Sequence, residues 1–384
     1  MAVNPVALAQ SLIRRPSITP HDEGAITVLE EALTPLGFTC HHLRFEEPGV
    51  PAVENLYARI GTLGPHFCFA GHTDVVPPGN PAHWKSDPFA ANIQDGVLIG
   101  RGAADMKGAI AAFTAAVSRH LAKGPLKGSI SLMITGDEEG DAINGTPKIL
   151  NWLKARGESI DHSLFGEPTS IKTMGDTIKI GRRGSMNVTL TAHGTQGHVA
   201  YANELKNPIH ALAALTDYFA SHPLDQGSAL FDPSTLTFTT FDVGNPTVNL
   251  VPAEAKACFN IRFSDLHTPE SLADYIRLTT ENFARKTGCT ITAETSVSGV
   301  ASAEQPGAYT DLLQNAIATV TGVKPALSTS GGTSDARFIT DFCPAVEFGL
   351  FTESIHKVDE CAAVADIEKL TDMYEAILAA YFAG

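Results

Sequence analysis

Two polar side chains follow directly after a short apolar run near residue 70, and they are the first candidates for chemistry. Residues 66–70 form a run typical of a buried strand, and Gly71 ends it. His72 and Asp74 come next. An imidazole at the carboxyl end of a strand can bind a metal ion, and a carboxylate two residues later can hold the ring in one tautomer. A single histidine after a strand is more often a polar loop residue, so the motif gains weight only from similar ones elsewhere.

Further metal-capable side chains follow other apolar runs or precede a predicted helix. They are Asp105, Glu139, Glu167 and His356. Asp105 precedes an Ala-rich helix predicted over residues 107–121, where a helix cap is the more common role of an aspartate. Residues 137–139 are three consecutive acids after a predicted strand. Their mutual repulsion indicates either a bound cation or a solvated turn.

These positions predict one shared site. In an open parallel sheet, ligands bind beyond the carboxyl ends of the strands. Five nitrogen and oxygen donors at that edge suit two divalent cations, with one acid bridging them. Imidazole with carboxylate suits zinc best, and the lack of a thiolate in the set argues against a purely structural zinc site.

Composition limits the class of protein. The chain has 384 residues, enough for two domains, and its 43% hydrophobic and 18% charged content is ordinary for a soluble globular protein. The formal net charge of −15 argues against nucleic acid or an anionic membrane as a general partner. The six cysteines are scattered without a CxxC pair, which indicates core residues. With no signal-like start and no apolar run of roughly 20 residues, we expect a cytoplasmic protein.

The middle of the chain has a different pattern from its ends. Alternating helix and strand patterns at both ends predict an α/β fold with a mixed, mostly parallel sheet between helices. From about residue 180 the order is strand, helix, strand, strand, helix, strand, which is the ferredoxin-like order. We therefore predict a catalytic domain built from residues 1–179 and 295–384, with an inserted domain over residues 180–294.

Several sequence strings resemble a known family. GHTDVVP at 71–77, GRGAADMKG at 100–108 and DEE at 137–139 resemble the M20 family of di-zinc amidohydrolases and exopeptidases. Longer strings narrow the resemblance to the desuccinylase branch of that family. They lie at 175–185, 197–201, 330–338 and 355–360. Together these matches extend over essentially the whole chain.

The resemblance implies a ligand set for two zinc ions per subunit. His72 and Glu167 would bind one ion, Glu139 and His356 the other, and Asp105 would bridge them. Cobalt or manganese could substitute, since donor type alone does not exclude them.

The resemblance also implies a reaction. Glu138 would be the general base for a zinc-activated water, and Asp74 would orient His72. The expected reaction is hydrolysis of N-succinyl-LL-2,6-diaminopimelate, a small anionic amide, on the route to lysine. The alternatives are another M20 enzyme, such as an acetylornithine deacetylase or a metallo-carboxypeptidase, and a catalytically inactive binding protein of the same fold. A binding protein does not need a general base, so the presence of Glu138 argues against that alternative.

A further set of residues is implied to bind substrate. It consists of Arg182, Ser185, His198, Tyr201, Asn249, Arg262, Gly332 and Thr333. In the family the inserted domain forms a homodimer, and a histidine and an asparagine at the positions of His198 and Asn249 reach across it to the substrate carbonyl. The alternatives are that the arginines lie on the surface without a fixed partner, that the glycine-rich segment is an ordinary tight turn, and that His198 bonds within its own subunit.

One position departs from the family pattern. The family usually has an asparagine four residues before the C-terminal metal histidine, where this chain has Thr352 followed by Glu353. A threonine hydroxyl lacks the reach of an amide, and Glu353 adds negative charge. We expect this difference to affect substrate specificity and not metal chemistry.

Overall fold

The computed structural model describes residues 2–332 and 334–383. The helices are α1 (Pro5–Ile13), α2 (Ala25–Leu33), α3 (Lys107–Ala122), α4 (Thr146–Lys154), α5 (Pro208–Ser221), α6 (Pro269–Thr287), α7 (Ala308–Thr321), α8 (Ala336–Ile339) and α9 (Val364–Tyr381). The strands of the first half are β1 (Thr39–Glu47), β2 (Val50–Ile60), β3 (His66–His72), β4 (Asn92–Gln94), β5 (Val97–Ile99), β6 (Ser129–Thr135), β7 (His162–Phe165), β8 (Thr177–Lys179) and β9 (Gly181–Arg182). The later strands are β10 (Gly184–His193), β11 (Gly197–His198), β12 (Thr235–Asp242), β13 (Leu250–Val251), β14 (Glu254–Phe263), β15 (Thr290–Gly299), β16 (Ser302–Ala303), β17 (Ala326–Ser328), β18 (Ala345–Glu347) and β19 (Cys361–Ala363).

The described chain divides into two compact units. The first comprises residues 2–180, 304–328 and 334–383, and the second comprises residues 181–303 and 329–332. The first unit is therefore built from both ends of the chain.

A mixed sheet forms the centre of the first unit, with strand order β1-β2-β6-β3-β7-β18-β8-β17. Strands β6, β3, β7 and β18 are mutually parallel, and β17 is parallel to β8. Every residue of β3 is buried between its two neighbours, which explains its continuous apolar sequence. The mixed, mostly parallel sheet predicted from the sequence is confirmed.

Helix α3 covers this sheet together with α1 and α9. Its alanine-rich sequence allows close approach, and residues 107–118 are all buried. The ring of Phe113 stacks on Phe69 of β3 at 4.2 Å between centroids, and Tyr374 of α9 meets both rings edge-on. These ring contacts pack helix α3 against β3, the strand that ends at His72.

The second unit contains an antiparallel sheet with the order β12-β14-β10-β15. Inward-facing residues of these strands form an apolar core with α5 and α6. In strand β14, buried and less buried positions alternate along the strand. This alternation is expected when only one face of a sheet is covered.

Some elements differ from the sequence prediction. Residues 39–47, which carry no clear alternation, form the edge strand β1 through pairing with β2. The strand predicted over 344–350 is limited to Ala345–Glu347. Among the described residues, each helix is either too short or too polar to cross a lipid bilayer.

Candidate metal centre

The candidate ligands lie at the ends of neighbouring elements of the first unit. His72 is the last residue of β3, and Asp105 lies two residues before α3. Glu139 follows β6 and Glu167 follows β7, while His356 lies in the loop after β18. Since β3, β6, β7 and β18 are parallel, their carboxyl ends meet at one edge of the sheet.

Asp105 lies between the two histidines. Its Oδ1 is 3.2 Å from His72 Nε2, and its Oδ2 is 3.4 Å from His356 Nε2. Glu167 Oε1 lies 3.6 Å from His72 Nε2, and Glu139 Oε1 lies 2.9 Å from His356 Nε2. The structure thus forms two histidine–carboxylate groups that share one aspartate.

Donor atoms also cluster across these two groups. One atom from each of His72, Asp105 and Glu139 lies within 4.8 Å of the other two, and the same holds for His72, Glu138 and Glu167. Glu138 therefore lies close enough to compete with the ligands for a cation, although the distances above pair Glu139 with His356.

Asp74 organises the site in two ways. His72 Nδ1 lies 2.9 Å from the backbone oxygen of Asp74 and can donate its N–H there, so Nε2 is the ring nitrogen that faces Asp105 and could bind a cation. The Asp74 carboxylate accepts the backbone N–H of Glu139 at 2.9 Å and that of Glu138 at 3.3 Å. One buried side chain thereby fixes both consecutive acids.

The backbone of His356 adopts an unusual conformation. Its φ is +59°, in the left-handed region that few non-glycine residues occupy. The side chain is 49% exposed, so packing alone does not explain this conformation. The conformation brings the imidazole to Glu139 and Asp105, and such backbone strain is typical of functional sites.

The charges of the site strongly affect one another. Burial raises the pKa of Glu167, and the Asp105 charge adds to this effect, so that it reaches about 7. Hydrogen bonds with Asp105 and Glu139 raise the pKa of His356 to about 10. Burial opposes ionisation of Asp105, but the two imidazoles nevertheless lower its pKa. Burial would lower the pKa of His72, but Asp105 and Glu167 raise it well above its usual value.

The donor set fits a pair of divalent cations. Burial raises the pKa of Glu138 well above its usual range, and repulsion by the Glu167 charge adds to this effect. Glu167 Oε1 is buried without a hydrogen-bond donor among the described residues. Carboxylate oxygens and imidazole nitrogens are the ligands that zinc takes in catalytic sites.

Sequence reasoning missed Asp335 in this unit. Its side chain is fully buried, and neither carboxylate oxygen has a hydrogen-bond donor within the described part of the chain. Arg337 Nη2 lies 3.5 Å from Oδ1. Burial raises the pKa of Asp335 to about 7, and its charge in turn contributes to the raised pKa of Glu138. The sequence signal that could have identified Asp335 is its position in the string at 330–338, one of the strings that resemble the family. The neighbouring Ser334 hydroxyl donates to Glu347.

The loop before His356 contains the position that departs from the family pattern. Thr352 N donates to the Ser170 backbone oxygen at 3.1 Å, and its hydroxyl lies 3.5 Å from the same oxygen. The Thr352 side chain is therefore directed towards its own chain, while Glu353 is exposed.

Four of the predicted substrate-binding residues lie in the second unit, as two pairs of neighbours. Arg182 Nη1 donates to the Gly332 backbone oxygen at 2.9 Å. Ser185 and Arg262 are opposite each other in the ladder of β10 and β14. Asn260 Nδ2 donates to the Ser185 hydroxyl at 3.2 Å. These contacts join Arg182 to Gly332 and, separately, make Ser185 a cross-strand neighbour of Arg262.

Three more of the predicted substrate-binding residues, His198, Tyr201 and Asn249, form a second group in that unit. The rings of His198 and Tyr201 lie 6.2 Å apart, and both residues are exposed. Val199 N donates to the Asn249 backbone oxygen at 3.1 Å, so Asn249 lies next to the histidine segment. Thr333 lies outside the described residues.

The chain is similar to known proteins over its whole length. The profile of Peptidase family M20/M25/M40 matches residues 68–380. The succinyl-diaminopimelate desuccinylase of Rhodospirillum centenum is 56% identical over 385 residues, which covers 100% of this chain and 99% of the relative. The same-named protein of Rhodopseudomonas palustris is 52% identical over 389 residues, with 100% and 99% coverage.

Solved structures show the same fold at low identity. Aminopeptidase PepT from Bacillus cereus aligns with a TM-score of 0.80 at 21% identity, covering 100% of both chains. A dinuclear metal binding peptidase of the M20 family from Bacillus subtilis aligns with a TM-score of 0.69 at 15% identity, covering 98% of this chain and 96% of the other.

Proposed function

Because this chain belongs to Peptidase family M20/M25/M40, we propose that its site hydrolyses N-succinyl-LL-2,6-diaminopimelate to succinate and LL-2,6-diaminopimelate. Full-length relatives at 51–56% identity carry the name of that activity. The observation that carries the proposal is the pair of histidine–carboxylate groups around Asp105, with Glu138 beside them.

The cations in this proposal are two zinc ions per subunit. His72 and Glu167 hold one, Glu139 and His356 hold the other, and Asp105 is shared, as the pairwise distances support. When bound, such cations polarise the amide carbonyl and make water more acidic. Cobalt can replace zinc on the basis of donor type.

Glu138 is the general base. It removes a proton from the attacking water, whose oxygen bonds to the succinyl carbonyl carbon. The carbon–nitrogen bond then breaks, and Glu138 returns the proton to the leaving amine. The Asp74 carboxylate supports this role by holding the backbone of Glu138 and Glu139, so that one side chain binds a cation while its neighbour faces the water.

The second unit supplies recognition of the substrate carboxylates. Arg182 and Arg262 provide guanidinium groups that match a carboxylate bidentately, and Ser185, Gly332 and Thr333 add a hydroxyl and backbone donors. The contact between Arg182 and Gly332 supports a common binding region for these residues.

We further propose that the inserted residues 180–294 form a lid and the interface of a homodimer. In this arrangement His198 and Asn249 donate hydrogen bonds to the reacting carbonyl of the other subunit, with Tyr201 beside them. The exposure of all three residues supports their availability to a second chain. The free cysteines throughout the described residues agree with a cytoplasmic enzyme of amino-acid biosynthesis.

The decisive experiment is a substrate comparison. After loading with zinc, kcat/KM is measured for N-succinyl-LL-2,6-diaminopimelate, N-acetylornithine and a set of dipeptides. We expect the succinylated substrate to be preferred by several orders of magnitude. A preference for acetylornithine or a dipeptide would retain the metal chemistry but reject the proposed substrate. Loss of all turnover despite bound zinc would favour a binding protein.

A further inference from the structure

A buried ion pair lies immediately next to the shared aspartate in the first unit. Arg101 Nη1 donates to Glu360 Oε2 at 2.6 Å, and the two side chains are 2% and 0% exposed. The other oxygen, Glu360 Oε1, accepts the backbone N–H of Ala104 at 3.0 Å and that of Asp105 at 3.1 Å. The Glu360 carboxylate therefore fixes the backbone from which the Asp105 side chain projects.

Arg101 connects the same pair to two more segments. Its Nη2 lies 3.4 Å from the Pro77 backbone oxygen and 3.5 Å from the His356 backbone oxygen. The guanidinium carbon also lies 5.2 Å from the centre of the Trp84 ring. The ion pair thus joins the segments after His72, around Asp105 and after His356.

Stability is a weak explanation for this arrangement. Removing two charges from water costs several kcal/mol per ion, and apolar replacements of buried ion pairs are often neutral or stabilising. Glu360 also lies near the Asp105 carboxylate, and burial together with that charge raises its pKa. The pair is therefore located where its electrostatic cost is high and where it contacts the backbone of two ligands.

We propose that Arg101 and Glu360 are positioning residues of the metal centre. Glu360 sets the backbone position of Asp105, the carboxylate shared by both cations, and Arg101 holds the backbone of His356. This inference rests on the cation site of the proposed function, but it does not depend on the identity of the substrate.

The test measures cation binding and not turnover. The intact protein is stripped of metal with a chelator and titrated with Co²⁺ by calorimetry, and the visible absorption spectrum reports the ligand field at each step. Glu360→Gln keeps the size of the side chain but removes its charge. Arg101→Lys keeps the ion pair but loses the planar fork that spans Glu360 and His356.

The matched control is Glu158→Gln. Glu158 is bonded to Arg59, which also donates to Ser129 at the start of β6, at the opposite end of that strand from Glu138 and Glu139. It is therefore an ion-pair carboxylate of the same unit that is remote from the proposed ligands.

We expect Glu360→Gln to weaken Co²⁺ binding by about 10–100-fold and to change the absorption spectrum. Arg101→Lys should weaken mainly the step that involves His356, while Glu158→Gln should keep the wild-type affinity and spectrum. Wild-type Co²⁺ affinity and spectrum in the variants would overturn the proposal, and Arg101→Lys decides alone if Glu360→Gln does not fold. Failure of the wild-type enzyme to cleave the succinylated substrate, with both cations bound, would refute the proposed function and leave this inference standing.

Discussion

Replacing Asp74 with asparagine tests whether this carboxylate acts by holding the two consecutive acids. Its two oxygens accept the backbone N–H groups of Glu138 and Glu139. Asparagine has one acceptor oxygen and would present an NH₂ group to the other donor. The lost hydrogen bond leaves a buried donor unsatisfied, which costs about 1–3 kcal/mol.

A second contribution to stability has the opposite sign. Burial raises the pKa of Asp74 from 3.8 to about 6, so keeping it ionised at neutral pH costs about 3 kcal/mol. The uncharged asparagine avoids this cost. We therefore expect the free energy of unfolding of the metal-free protein to change by less than about 2 kcal/mol. Displacement of Glu138 by about 1 Å should nevertheless lower kcat about 100-fold.

The assay combines urea unfolding of the metal-free protein with steady-state kinetics of the zinc-loaded protein. Asp161→Asn is the matched control, because Asp161 Oδ2 accepts the backbone N–H of His66 at 2.7 Å. His66 begins β3 and His72 ends it, so the control lies about 20 Å from the site. It should keep its kcat. An Asp74→Asn variant with wild-type kcat would refute the positioning role, and a large loss of stability without a kinetic effect would show a purely structural one.

The remaining predictions address the reaction, the dimer, the acid sensitivity and the core. Glu138→Gln should keep both cations in a metal assay but lower kcat by about 10²–10⁴-fold, because the general base is lost. Mixing His198→Ala subunits with Glu138→Gln subunits should restore part of the activity if each site uses a histidine from the partner. Burial lowers the pKa of His66 below 6.5, so the unfolded state binds more protons at this residue and its contribution to stability falls as pH decreases below about 6.5; in urea unfolding, His66→Gln should therefore gain stability relative to the wild type between pH 7.5 and 5.5. Phe113→Ala should lower the free energy of unfolding by about 3–5 kcal/mol, because the fully buried ring stacks on Phe69.

Contrary results would be informative in each case. Normal turnover by Glu138→Gln would remove Glu138 from the mechanism. Inactive heterodimers, shown to form, would exclude sharing of His198. A stability difference between His66→Gln and the wild type that does not change with pH would mean that His66 does not titrate on unfolding in this range, and a loss below about 1 kcal/mol for Phe113→Ala would mean that the core rearranges to fill the space.

Asp335 suggests why the acids of this site are so numerous. Burial is the largest cause of the raised pKa of Glu138, and the charges of Glu167 and Asp335 add to it. Such a concentration of negative charge favours the binding of cations.

Much of the first unit was determined by local sequence. The buried parallel strand β3 requires a continuous apolar run, and the alanine-rich pattern predicts α3 with ends within one residue of those observed, Lys107–Ala122. Metal-capable side chains after such runs indicate a site at the strand ends, because the carboxyl ends of parallel strands meet at one edge. The edge strand β1 was missed, because its residues alternate weakly and its structure depends on pairing with β2.

Periodicity and spacing do not determine how the side chains are paired; before the structure, the pairing of the ligands came only from the family resemblance. No local pattern predicts that the two oxygens of Asp105 are directed to His72 and His356, or that the Asp74 backbone oxygen, and not only its carboxylate, contacts His72. The bond between Arg101 and Glu360 joins residues 259 positions apart. Sequence periodicity reports which face of an element is buried, whereas contacts at this separation depend on how the elements pack.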